Sequence, residues 1–183
     1  MKKRILALAG VLALVAVLVM PTAVFATNTS VQNASTSQAT TIIIVSKVGD
    51  DPIASITFPA GAPAAVISNP YNDVDIALPQ VLDDTASEPV VRLKNGSGGT
   101  LTIWLGVTAL SGWTDAVASE RFKLVDVGTT SVASLTSEAT LGASASTVTT
   151  IAAAAYKALY LEVTLGALTG KTGTSTLTVL GES

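Results

Sequence analysis

The chain has 183 residues, 49% of them apolar, with ten basic and thirteen acidic side chains and neither cysteine nor histidine. Those absences exclude disulfide staples, thiolate nucleophiles, Cys/His zinc sites and any Ser-His-Asp triad. The acidic balance opposes nucleic-acid binding, which needs a basic footprint.

Met1-Lys2-Lys3-Arg4 sets three positive charges before an apolar run from Ile5 to Met20, which Pro21 ends. Ala23-Val24-Phe25-Ala26 then supplies the short residues of a signal-peptidase site, so residues 1–26 read as a secretory signal cut after Ala26. The competing reading is a retained membrane anchor, for which the apolar run is a little short. Cleavage leaves 157 residues with seven basic and thirteen acidic side chains, a net charge of about −6. That length suits one domain with its own core. No later apolar stretch reaches the length of a membrane span, so a secreted protein outside the membrane is expected.

Residues 27–41 are rich in Ser, Thr, Asn and Gln, carry no charge and offer almost nothing to bury, which predicts a flexible or extended linker. The linker runs into Thr41-Ile42-Ile43-Ile44-Val45-Ser46-Lys47-Val48, the most β-prone stretch of the chain, stopped by Gly49-Asp50-Asp51-Pro52. Both faces of this strand are apolar around Ile42–Val45, so burial on both sides is expected. Two readings follow for residues 27–48. The strand is the first of its own sandwich, or it is a donor strand on a polar tether that completes the sheet of a neighbouring copy. In the second reading Thr41, Ile42, Ile43, Ile44, Val45 and Val48 contact the next subunit. A head-to-tail contact that does not close then yields a filament.

From residue 49 onward, short strands alternate with turns. Ile53–Phe58 is one strand, residues 68–89 read as loop, and Val90–Lys94 with Thr100–Thr108 reads as a hairpin around Asn95-Gly96-Ser97-Gly98-Gly99. In its second arm Leu101, Ile103, Leu105 and Val107 share one face. Phe122–Val127, Leu159–Leu165 and Thr174–Leu180 are further strands, with Tyr160, Glu162 and Thr164 expected to point outward. Ile151–Lys157 is ambiguous between a helical turn and an extended lead-in. This many short strands rich in Val, Thr, Ile and Leu predict an all-β fold, a single β-sandwich with an extended N-terminal strand.

Acidic residues fall in the predicted loops: Asp50 and Asp51, Asp73 and Asp75, Asp83 and Asp84. Paired Asp in loops suits structural calcium, whereas Asp also favours turns for its own backbone hydrogen bonds; both readings stand. Asn28, Asn33 and Asn95 begin Asn-x-Ser/Thr acceptor triplets for N-glycosylation. Paired carboxylates of a glycosidase would need an aromatic sugar surface, and Trp104, Trp113, three Tyr and two Phe after residue 26 make a sparse one. No enzymatic activity, catalytic cofactor or small-molecule substrate is therefore expected.

The signal segment, the Thr41–Val48 strand, the segment Val90-Val91-Arg92-Leu93-Lys94-Asn95 with Leu101-Thr102-Ile103-Trp104-Leu105, and Leu159-Tyr160-Leu161-Glu162-Val163-Thr164 resemble, in layout, secreted fibre subunits of the TasA/camelysin type and archaeal bundling pilins. The resemblance implies a jelly-roll-like fold that polymerises with copies of itself by donor-strand complementation into extracellular, biofilm-type filaments. Cannula-like tube subunits, similar in plan and calcium-dependent, fit the acidic loops as well. A monomeric cell-surface or adhesin domain that binds glycan or another surface protein is the alternative.

Overall fold

Period-two alternation of apolar side chains sorts the strands into two sheets that face each other across one core. The computed structural model describes residues 28–37, 42–135, 138–142 and 146–183. The signal segment and Thr41 therefore lie outside the described residues.

The strands, in chain order, are β1 (Asn28–Ser37), β2 (Ile42–Val45), β3 (Ser55–Gly61), β4 (Val66–Ile67), β5 (Tyr71–Asn72), β6 (Val91–Asn95), β7 (Leu101–Ala109), β8 (Val117–Asp126), β9 (Ser146–Ile151), β10 (Tyr156–Leu165) and β11 (Thr172–Glu182). One helical turn, α1 (Trp113–Ala116), precedes β8. The first sheet has the order β5-β3-β1-β11-β7-β9. The second has the order β2-β6-β10-β4, with β8 paired to the other edge of β10. Ile56, Phe58, Leu93, Leu101, Ile103, Leu105, Leu159, Leu161, Leu177 and Val179 fill the space between them. The all-β sandwich expected from the strand pattern is the fold observed.

Several local expectations need correction. The polar segment read as a linker is the central strand β1, running parallel to β11 from Thr29↔Thr172 to Ser37↔Leu180 and antiparallel to β3. Backbone pairing, not side-chain burial, accounts for it. Without β1 the facing edges of β3 and β11 would both lose their partner, and unpaired edges are unfavourable whatever the side chains.

The Val90–Thr108 hairpin is not one. β6 pairs β2 and β10 in one sheet, whereas β7 pairs β11 and β9 in the other. The glycine-rich turn carries the chain across the sandwich, because Leu93 and Leu101 both need the shared interior. Residues 152–155 form a turn closed by Ala155 N–H donating to the Ala152 carbonyl, so the ambiguous alanine run is neither helix nor strand.

The outer face of β10 is covered as well. Tyr160 is wholly buried and joins Ala158, Val132 and Leu135 in a second small core, and Glu162 is also buried. Residues 129–135 lie over this face, linked by the Asp83↔Val132 bridge. Opposite β8, β10 is paired by β6 at one end and β4 at the other. The Gln80 side chain fills the gap: its amide donates to the Leu161 carbonyl at 2.8 Å and accepts from the Leu161 N–H at 2.9 Å.

Candidate site between the first and last strands

The inner face of β1 presents Ser30, Gln32 and Ala34, since alternate residues share a face. Ser30 and Gln32 are fully enclosed, at 1% and 0% exposure. Gln32 pairs in register with Ser175 of β11. Its Nε2 donates to Glu120 Oε1 at 2.8 Å and to Ser175 Oγ at 3.3 Å. Glu120 comes from β8 in the opposite sheet, where the spacing Glu120, Phe122, Leu124 puts it on the core-facing row. A carboxyl, a primary amide and the Ser175 hydroxyl thus meet in an apolar interior, with Ser30 buried two residues along the same face of β1. Ser30 Oγ, Gln32 Oε1 and Glu120 Oε2 have no hydrogen-bond partner there.

Burial pushes the Glu120 carboxyl up to about 8, and the hydrogen bond from Gln32 only partly opposes it. At neutral pH this side chain holds its proton, because an ionised carboxylate in an apolar interior is strongly disfavoured. No charged neighbour contributes to the shift. The chemistry available is that of a neutral acid against an amide and an alcohol. Sequence reading did not single out Gln32, Glu120 or Ser175. The period-two row through Phe122 and Leu124, extended one step back, would have flagged the glutamate.

The segment expected to leave the chain sits elsewhere. β2 pairs β6 from Ile42↔Asn95 to Val45↔Arg92, at the edge of its own sheet. Ile42, Ile44 and Val45 are buried in the chain's own core, while Ile43 is partly exposed and Val48 lies open. Burial on both faces came only in part, and the subunit-contact role assigned to these residues is not carried over to β2.

Asp50, Asp73, Asp75 and Asp83 each bind groups of their own neighbourhood. Asp50 accepts from Lys94 Nζ at 2.6 Å and from the Tyr156 hydroxyl at 2.9 Å, with Arg92 close by. Those hydrogen bonds, Lys94 first, hold its carboxyl below the ordinary aspartate range. Asp73 accepts from the N–H groups of Ala54 and Ser55, and Asp75 from Lys47 N–H and Asn72 Nδ2. Asp83 closes an Asx turn on Thr85 and Ala86. Asp51 and Asp84 both lie exposed at the surface. Among the described residues no three acidic side chains gather into a group that could hold a metal ion.

Of the glycosylation candidates, Asn33 is exposed on the outer face of β1 and Asn28 begins that strand. Asn95 is wholly buried; its Nδ2 donates to the carbonyls of Gly99, Ile151 and Ala152. A glycan on that nitrogen is incompatible with this fold, so Asn95 is a structural turn residue.

No protein-family model matches the chain, and no curated protein sequence matches it.

Proposed function

We propose that this protein is a structural subunit of an extracellular filament or tube, secreted and then self-assembled by exchange of its N-terminal strand between copies. The supporting observation is the seat of β1. The first strand of the described chain occupies the middle of a sheet, between β3 and β11, which do not pair with each other.

Three properties make β1 exchangeable. Its inward side chains are Ser30, Gln32 and Ala34, so little apolar area holds it; the backbone ladders to β3 and β11, at about 1 kcal/mol net per hydrogen bond, do most of the work. It is the first strand of the described chain, so removing it breaks no other connection. And only residues 38–41 separate it from β2, which is anchored in the opposite sheet. The same ten residues from another copy satisfy the same slot with the same hydrogen bonds. Such a contact is heterologous and propagates. The donor role moves from β2, where sequence reading put it, to β1.

Electron microscopy of the chain beginning at Thr27, beside one beginning at Gln38, tests this reading. Filaments or tubes from the first and none from the second are expected, with binding of a peptide of residues 28–37 restoring a closed monomer. Unchanged assembly without residues 27–37, or a strictly monomeric longer chain, contradicts it.

A further inference from the structure

The strongest chemical juxtaposition in the molecule is the enclosed meeting of Gln32, Ser175 and Glu120. We infer that Gln32 and Ser175 become joined by an ester bond, formed inside the folded sandwich with release of ammonia and with Glu120 as the proton carrier. This modification needs only that a β1 occupy its slot. Its consequence for assembly rests on the proposed strand exchange.

Geometry brings the reactants together before any chemistry. Gln32 and Ser175 are register partners on adjacent parallel strands, and both are fully buried. Ser175 Oγ lies 3.3 Å from Gln32 Nε2. One amide C–N bond is about 1.33 Å, so the amide carbon is within roughly 4.6 Å of the hydroxyl oxygen. A short side-chain rotation therefore reaches attack distance, about 3–3.5 Å. Holding two groups this way is worth an effective concentration of about 10⁵–10⁸ M, the scale on which unreactive partners combine.

The carboxyl is placed for the proton work. Glu120 Oε1 is 2.8 Å from Nε2, the atom that must leave. Ser175 Oγ attacks the Gln32 amide carbon, forming the O–C bond of a tetrahedral adduct. Protonated Glu120 donates to the nitrogen as the C–N bond breaks, and ammonia departs. The Glu120 carboxylate so formed recovers the proton lost by the Ser175 hydroxyl. One amide and one alcohol give one ester and one ammonia, and Glu120 ends as it began. No oxidant, metal or second reactant is needed. Ammonia has a short way out, since a surface cleft opens beside Ser30, between Ser111 and Thr172.

The ester also removes a defect. Before reaction the Gln32 Oε1 carbonyl and the Glu120 Oε2 hydroxyl are both buried without a hydrogen-bond partner. After it, the ester carbonyl accepts from the Glu120 O–H, while Glu120 Oε1 gives up the donor it had in Gln32 Nε2. Leaving buried polar groups unpaired is unfavourable, so the new pairing favours the product. The bond ties the first described strand to the last in a chain that has no cysteine for a disulfide. Where β1 comes from a neighbouring copy, the same bond links subunits covalently.

Intact mass of the purified folded protein, with tandem mass spectrometry of its digest and a boiled SDS gel, tests this. A mass lower than the sequence by one ammonia, with the loss mapped to a peptide pair joining residues 32 and 175, is expected. That pair should be opened by hydroxylamine and should be absent in Glu120→Gln and Ser175→Ala. Linked peptides in a monomeric band support the bond and contradict strand exchange. Linked peptides in a ladder of SDS-resistant multimers support both. The full sequence mass in the wild-type chain overturns the bond and leaves strand exchange to its own deletion test. Ammonia loss mapped to Asn95-Gly96 instead, a pair prone to succinimide formation, equally overturns it.

Discussion

Glu120 is the side chain whose environment most constrains behaviour. Its carboxyl titrates near 4.5 in a solvated chain and at about 8 in the fold, because burial disfavours the charge. The folded state therefore binds a proton that the unfolded chain has released throughout that interval. By linkage, the stabilisation is fully present below pH 4.5 and is lost as pH rises toward 8, a decline on the order of a few kcal/mol. Glu120→Gln should flatten this slope, which urea unfolding followed across pH 4–9 would measure. A slope unchanged in the variant would assign it to other groups. Tyr160 makes a contrasting case. Its hydroxyl is buried without a partner, so Tyr160→Phe removes an unsatisfied group and no hydrogen bond. Stability within about 0.5 kcal/mol of wild type, or slightly above it, is expected from thermal unfolding.

Among the elements, β10 is held together by a side chain acting as a piece of strand. Gln80 supplies both the donor and the acceptor that Leu161 lacks where β6 and β4 leave a gap, and it donates to the Ser68 carbonyl too. Gln80→Ala strands a buried N–H and C=O, and a loss of about 2–4 kcal/mol in chemical unfolding follows. Such an insertion is invisible in sequence, because a loop glutamine at this position reads as solvent-exposed. The apolar strands were legible, since Leu101, Ile103, Leu105 and Val107 keep strict period two and all are buried. Strand partners were not. The Val90–Thr108 pattern specifies two strands and a turn, but the same pattern serves a hairpin within one sheet or an arch between two. β1 was read as linker because side-chain hydrophobicity says nothing of a strand valued for its backbone. Of the site, neither Gln32 nor Ser175 carries a signal of its own; only their register makes them neighbours.

At the scale of the whole molecule, composition settled the class of structure and the pairing pattern settled the rest. A chain without cysteine or histidine, rich in Thr, Val and Ala, forms two sheets sharing one core, with its first described strand lying beside its last. That closure is what allows a neighbour's β1 to substitute. Because the chain has no cysteine, introduced thiols can report on the pairing without interference. Asn33 and Thr176 are register partners on the outer face of β1 and β11, at a separation between adjacent strands that a disulfide can bridge. One population carrying only Asn33→Cys and another carrying only Thr176→Cys should therefore be unfolded together, refolded as a mixture and oxidised. Strand exchange predicts abundant disulfide-linked pairs containing one chain of each kind. No such pairs in the mixture, while the double variant closes its bond within a single chain, would contradict it.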